Sequence, residues 1–265
     1  MEHFIELTVG KSFLYAFRLA WIFPVMTILE WLLPVRRQSL KRRLQSLVFW
    51  VLAVPVTGAT MAFADVTFHA LGGQSLIAPR IWFGYDPVTR AASLVVAPII
   101  GAMIGDFFFY WGHRAEHAFF WRFHRVHHSI TELNAVNSYH HISEELIRTA
   151  LMVWPNAIVF APDVGPVLPA VGAVIALSGF YVHSNIRVHL GPFNRIFCDN
   201  QFHRIHHSTD PEHFNTNFCA FSTIWDQLFG TAYFPGPDEW PDTGLADFEE
   251  PNSVRDWLTA PVKPI

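Results

Sequence analysis

Residues 91–128 read AASLVVAPIIGAMIGDFFFYWGHRAEHAFFWRFHRVHH. The stretch starts as apolar sequence and ends as histidine-rich sequence. Residues 91–105 carry no charge, and the apolar character continues past Asp106 through Phe107, Phe108, Phe109, Tyr110 and Trp111. That supplies the roughly 20 residues a helix needs to cross a hydrocarbon core. His113-Arg-Ala-Glu-His117 and His124-Arg-Val-His127-His128 follow at once. A membrane helix that leads directly into imidazoles predicts an all-α protein, with multi-pass membrane helices capped by a cytoplasmic histidine-rich helical domain.

Other segments extend this picture. Residues 44–64 form a run of 21 without a charge, and residues 164–186 form another. Residues 149–162 are uncharged but short. Residues 12–35 are apolar apart from Arg18 and Glu30, and are read as a helix that either spans or lies at the interface. No basic leader precedes them and no small-residue cleavage site follows, so they are not expected to be a cleaved signal. Arg36, Arg37, Lys41, Arg42 and Arg43 cluster between the first two apolar segments, which places that loop in the cytoplasm. Residues 65–90 then lie outside, and the helix ending near Trp111 returns. Residues 149–162 and 164–181, joined near Pro162–Asp163, read as a hairpin that dips into the membrane. Every dense histidine cluster therefore falls on one face. The expected division is 1–92 as N-terminal membrane helices, 93–234 as the catalytic domain, and 235–265 as a Pro-rich acidic tail, extended and packed on the surface.

Composition narrows the chemistry. The 265 residues are 51% hydrophobic and only 15% charged, which excludes a disordered chain. Eighteen Lys+Arg against 22 Asp+Glu give a net charge of −4, so a nucleic-acid partner is not expected. Cys198 and Cys219 are too few for a disulfide framework or a cysteine-rich zinc site. Histidine is the outlier, with 13 of 15 lying between His113 and His213.

Those histidines have helical spacing. His113 and His117 share a helix face, as do His124 with His127 and His128, and His203 with His206 and His207. Neutral imidazole is a good ligand for zinc, copper, iron or nickel. Eight imidazoles on three short segments suffice for two metals with open positions, and redox iron is the ion suited to oxidising an unactivated C–H bond. His183 ends a membrane segment, where a polar side chain is costly and usually functional. His140 and His141 sit in Ser-Tyr-His-His-Ile-Ser-Glu-Glu, and Glu144 is placed to orient a ligand from behind. Asp106 is expected to pair with a metal-bound imidazole N–H or with Arg114. Arg125 and Arg204 are expected to be solvated or paired with carboxylates. Trp225, Phe229 and Phe234 either line an acyl passage or pack in the core. Two other classes compete: an HxxEH zinc hydrolase with Glu116 as base, and a histidine-rich metal-binding protein or metal transporter. The first leaves both HxxHH clusters unexplained, and the second places ligands near the bilayer midplane.

The chain resembles the fatty acid hydroxylase superfamily, which includes the sterol desaturases. The resemblance runs from about residue 105 to about residue 234. It is carried by Asp106 and the aromatic run before His113-Arg114-Ala-Glu-His117, by Phe123-His124-Arg-Val-His127-His128-Ser129, by His183-Ser184-Asn185, by His203-Arg-Ile-His206-His207-Ser208, and by Asn217-Phe218 before Trp225-Asp226-Gln-Leu228-Phe229-Gly230-Thr231. Where many bacterial members carry arginine and proline, this chain has Tyr139-His140-His141-Ile142. The resemblance implies a non-haem centre of two Fe ions that uses O2 and two electrons on a lipid drawn from the bilayer. The class of lipid is an acyl chain, sterol, sphingoid base, ether lipid or carotenoid. It implies His113, His117, His124, His127, His128, His183, His203, His206 and His207 as ligands, with His141 as the tenth. None of the sequence resembles a cytochrome b5 domain, so the expected donor is a separate protein of cytochrome b5, ferredoxin or reductase type.

Overall fold

The computed structural model describes residues 1–74, 76, 86–159 and 167–264. Among them three helices are long and apolar enough to cross a bilayer, which makes the chain an integral membrane protein. Helix α1 spans Glu2–Leu32 and α2 spans Leu40–Ala70, and they form an antiparallel pair. Both are 31 residues long and tolerate an internal proline, Pro24 and Pro55. Ser39 caps α2, its hydroxyl accepting the Arg42 N–H. Helix α3, Pro87–Phe119, starts at a cap in which the Asp86 carboxylate accepts from the N–H groups of Val88 and Thr89, with Pro87 in the first turn. Its 33 residues make a rod about 50 Å long, well beyond a hydrocarbon core of about 30 Å. The helix is thus long enough to cross a bilayer and still extend beyond it. Arg18 and Glu30 do not interrupt α1, which is continuous through both.

Helix α4 (Trp121–His128) follows α3 after a single residue. The stretch at 149–162 is not one helix. Helix α5 (Glu144–Arg148) passes through a π turn at Thr149–Val153 into α6 (Trp154–Val159). Pro155, which has no N–H to donate, sits just beyond that turn. Helix α7, Val167–Val182, packs along α3. The expected hairpin turn at Pro162–Asp163, and most of the loop after α2, fall outside the described residues. A Cβ on Gly101 would lie 2.8 Å from a Val171 methyl, so glycine is what allows the two helices to approach so closely. Helices α8 (Asn200–His206), α9 (Ile224–Phe229) and α10 (Val254–Thr259) complete the described elements. Asp199 caps α8 through the Phe202 N–H, and Gly230, at φ +73°, ends α9. The described residues hold no strand, only isolated bridges at Pro34–Ile186 and Ser208–Thr243.

The core lies where the membrane helices meet the histidine-bearing loops. Phe23 of α1, Trp50 of α2 and Phe180 of α7 pack ring to ring, with centroids 5.3–5.9 Å apart. Phe49 stacks on Trp257 at 5.0 Å and touches Tyr139 edge-on at 4.6 Å. The C-terminal tail is an extended segment only in part, since residues 235–253 carry no helix but the chain beyond them folds back on the core. It forms α10, and Trp257, Ala260 and Pro261 are buried. Two arginines expected in solvent or against carboxylates hold it. Arg125 is buried, donates to the carbonyls of Lys263 (2.7 Å) and Pro264 (2.9 Å), and lies 4.2 Å from the Phe248 ring. Arg204 is also buried and donates to Pro241 O at 2.8 Å. In each HxxHH segment the histidines turn one way and the arginine turns the other, toward the tail.

Candidate metal centre

Nine imidazoles converge where α3, α4 and α8 meet the end of α7. Nitrogens of His113, His117, His124, His128 and His206 lie within 4.8 Å of one another, and so do those of His127, His183 and His207. His203 joins the second group, its Nε2 3.1 Å from that of His183. The spacing of three and four residues puts the side chains of α4 and α8 on one face, and the ends of α3 and α7 add the rest.

The outer nitrogens of five imidazoles are already engaged. His113 Nδ1 lies 2.7 Å from Phe218 O, His127 Nδ1 3.1 Å from Tyr139 O, His183 Nδ1 2.6 Å from Gly179 O, and His206 Nδ1 2.7 Å from Thr216 O. His124 Nδ1 lies 3.0 Å from Glu144 Oε2. A carbonyl or carboxylate only accepts, so each Nδ1 carries the proton and each Nε2 is left with a bare lone pair. Yet His113 Nε2 faces His124 Nε2 at 3.0 Å, and His127 Nε2 faces His183 Nε2 at 3.0 Å. Neither nitrogen of either pair has a proton to share, so the arrangement suits a cation held by both. Two ligands at about 2.1 Å and at right angles on one metal are about 3.0 Å apart. Both groups contain such contacts: His117–His128 (3.1 Å) and His124–His128 (3.2 Å) add to the first, and His183–His203 (3.1 Å) to the second. His206 Nε2 and both nitrogens of His207 are buried without a hydrogen-bond partner, as unligated metal-binding atoms would be. Burial pushes His124, His127, His128, His203, His206 and His207 well below the ordinary imidazole range, and His183 down to about 3. The neutral, ligating form therefore prevails at neutral pH.

The structure does not bring His141 to the cluster. Its Nδ1 lies 2.6 Å from Ser143 Oγ and its ring faces Trp257 at 5.6 Å. Successive side chains diverge in this turn, and His140 is the one that faces inward. It stacks on His127 at 3.7 Å, and its Nδ1 lies 3.3 Å from Glu144 Oε2. Glu144 also accepts from the His141 backbone N–H at 3.3 Å.

Behind His124 lies an ion cluster that sequence reading missed. Arg148 Nε donates to Glu116 Oε1 at 2.8 Å, and Arg148 NH2 lies 3.7 Å from Glu144 Oε2. Glu116 Oε2 is 3.6 Å from His124 Nδ1, the outer nitrogen. Glu116 thus faces away from the converging lone pairs and is ion-paired, an arrangement unsuited to the base of a zinc hydrolase. Two buried carboxyls share this one guanidinium, and burial pushes the Glu144 carboxyl up. The sequence signal for Arg148 is only its i,i+4 spacing from Glu144.

Asp106 pairs with neither an imidazole nor Arg114. Its carboxylate accepts three backbone N–H groups, those of Ala220 and Phe221 at 3.0 Å and Ser222 at 2.8 Å. Asp226 accepts those of Phe218 at 2.8 Å and Cys219 at 2.9 Å. Together they fix residues 218–222, next to Thr216 and including Phe218, whose carbonyls orient His206 and His113. Arg114 instead donates to the Tyr110 hydroxyl at 3.1 Å. The aromatics near this segment are packing groups. Trp225 donates to Met103 O at 2.9 Å, Phe229 packs on Tyr110 and Trp111, and Phe234 packs on Phe202 and Arg195.

Known proteins are similar to this chain in sequence. The fatty acid hydroxylase family model matches residues 98–231, half of the chain. Ornithine lipid hydroxylase OlsE of Rhizobium tropici is 34% identical over 192 residues, 71% of this chain and 54% of that one. Alkylglycerol monooxygenase of Homo sapiens is 30% identical over 132 residues, 48% of this chain and 28% of that one. Very-long-chain aldehyde decarbonylase CER1 of Arabidopsis thaliana is 27% identical over 181 residues, 61% of this chain and 25% of that one. The chain thus spans about half the length of the first and about a quarter of the others. No solved structure matches it. The matched span holds all nine converging histidines together with Asp106 and Glu144, and the chain belongs to the fatty acid hydroxylase family.

Proposed function

We propose that the chain is an integral membrane oxygenase that holds two irons and uses O2 and two electrons to hydroxylate or desaturate a C–H bond of a lipid. The observation that carries this reading is the pair of imidazole groups, each with two bare Nε2 atoms 3.0 Å apart. His113, His117, His124, His128 and His206 would hold one iron, and His127, His183, His203 and His207 the other. Bound iron supplies the redox chemistry for attack on an unactivated C–H bond, which zinc lacks.

The chain's own residues do the rest. Backbone carbonyls hold the outer N–H of His113, His127, His183 and His206, and Glu144 that of His124, so those five inner lone pairs stay fixed. His113 comes two residues after Trp111, and His183 directly after Val182, the last residue of α7. The centre therefore sits where the hydrocarbon ends, within reach of a lipid chain entering sideways from the bilayer. The three relatives named above act, by their names, on an ornithine lipid, an alkylglycerol and a very-long-chain aldehyde, and a lipid substrate for this chain accords with all three. The basic residues between α1 and α2 favour the cytoplasmic face for the centre, where a separate cytochrome b5-, ferredoxin- or reductase-type donor would deliver electrons. A transporter reading fits poorly, because the ligands gather at the ends of α3 and α7 and on the short helices α4 and α8 instead of at the midplane.

The test is metal content of protein purified in detergent under low oxygen with iron supplied, followed by lipid profiling of cells with and without the gene. About two irons per chain, lost in His127→Ala or His206→Ala, are expected, together with an oxidised lipid that disappears in the same variants. A single tightly held zinc and no iron under any condition would refute the oxygenase.

A further inference from the structure

Glu30 belongs to α1, far in sequence from every histidine of the centre and outside the matched residues 98–231. It is nevertheless buried, 1% exposed, and its Oε1 reaches two segments that lead into the centre. Its Oε1 accepts the backbone N–H of Ala135 and that of Asn185, each at 2.9 Å. Its Oε2 accepts from Arg43 of α2, also buried, at 2.5 Å.

The two segments it joins carry one histidine group. Asn185 comes two residues after His183. Ala135 begins the short stretch that ends at Tyr139, whose carbonyl orients His127. His127 and His183 are the facing pair of the second group. One carboxylate oxygen thus clamps together the two backbones that bring these imidazoles to 3.0 Å. The same contact is extended on the membrane side. Val35 N–H donates to Asn185 O at 2.9 Å, and Gln38 of the α1–α2 turn donates to Leu133 O at 2.8 Å. None of the first histidine group is touched by Glu30.

We propose that Glu30, with Arg43 as its counter-ion, is the positioning residue of the second metal subsite, so that the α1–α2 hairpin completes a centre whose ligands all lie elsewhere. This rests on the two-metal reading above. A purely structural ion pair would be dispensable for the metals. Replacing both partners of a buried pair by apolar residues is commonly neutral or stabilising, so Glu30→Met/Arg43→Met separates folding from positioning.

The experiment loads the full chain in detergent with 57Fe under anaerobic conditions and reads iron per chain and the Mössbauer spectrum. Glu30→Met/Arg43→Met is expected to fold, to hold its second iron about tenfold more weakly, the low end for residues behind a ligand, and to give the spectrum of His207→Ala. Glu30→Gln, which keeps a carbonyl oxygen for both N–H groups, is expected to hold that iron more tightly than the double variant. Asp65→Asn, which breaks the other α1–α2 ion pair (Lys11–Asp65, 3.1 Å), is expected to keep both irons. Two irons at unchanged affinity in the double variant overturn the proposal, as does loss of the first-group iron instead. An unsubstituted chain holding one metal or none overturns the two-metal reading itself, and the proposal with it.

Discussion

Replacing Asp106 tests whether the centre is held from the backbone. Asp106→Ala removes the acceptor of three N–H groups at once, the buried one of Ser222 and the half-buried ones of Ala220 and Phe221. A buried donor left unsatisfied costs about 1–3 kcal/mol. Partial hydration of the new gap would spare part of that, so a loss of about 3–5 kcal/mol is expected, near the low end of three such costs. Asp106→Asn keeps one oxygen, which still serves Ala220 and Phe221, and turns an amide donor toward the Ser222 N–H. One lost bond of that kind predicts about 1–3 kcal/mol. The assay is unfolding of metal-free protein in detergent, followed by tryptophan fluorescence, with iron binding measured separately on the folded fraction. The expected order of stability is unsubstituted, then Asn, then Ala, and iron affinity falls in the same order because the Phe218 and Thr216 carbonyls lose their support. An Ala variant as stable as the Asn variant would refute the reasoning. So would an Asn variant of full stability with no iron, since Asp106 would then act on the metals directly.

Other outcomes are accessible to the same preparations. His141→Ala is expected to keep both irons, whereas a drop of one iron per chain would return His141 to the ligand set. Trp257→Ala should cost about 3–5 kcal/mol, because a fully buried indole leaves a cavity under Phe49 and Tyr139; a change below 1 kcal/mol in chemical unfolding would show the tail to be dispensable. The metal-free protein should lose stability as pH falls below about 6.5. Burial lowers the folded-state pKa of the clustered imidazoles, so the unfolded chain binds more protons, and the stability present above the unfolded pKa is lost as pH falls through the folded values. An apo unfolding midpoint that is flat or rises between pH 7 and pH 5 would contradict that sign.

Periodicity made part of this legible in advance. The HxxHH spacing on α4 and α8 specified a shared face, because three- and four-residue steps leave little choice on a helix. His183 was marked by its place at the end of an apolar run. Other features had no local signal. His140 and His141 sit in a turn without a period, so which of them faces inward depends on the packing of Trp257, more than 100 residues away in sequence. The partners of Asp106 are backbone groups at 220–222, and any residue type supplies those. Arg125 and Arg204 resemble solvated charges until the tail folds back over them. The stretch at 149–162 has helical composition, but its π turn and Pro155 divide it.

Four of the orienting contacts behind the imidazoles come from main-chain carbonyls, at Tyr139, Gly179, Thr216 and Phe218. Those oxygens survive any change of side chain at their own positions. Substitutions at 216 are thus expected to be nearly silent toward the metals, whereas Phe218 also packs its ring on His113, His117 and His206, and the other vulnerable positions are the carboxylates that hold the main chain in place. Fragility in this protein lies one step back from the centre, so a mutational scan would map its anchors more clearly than its nearest neighbours.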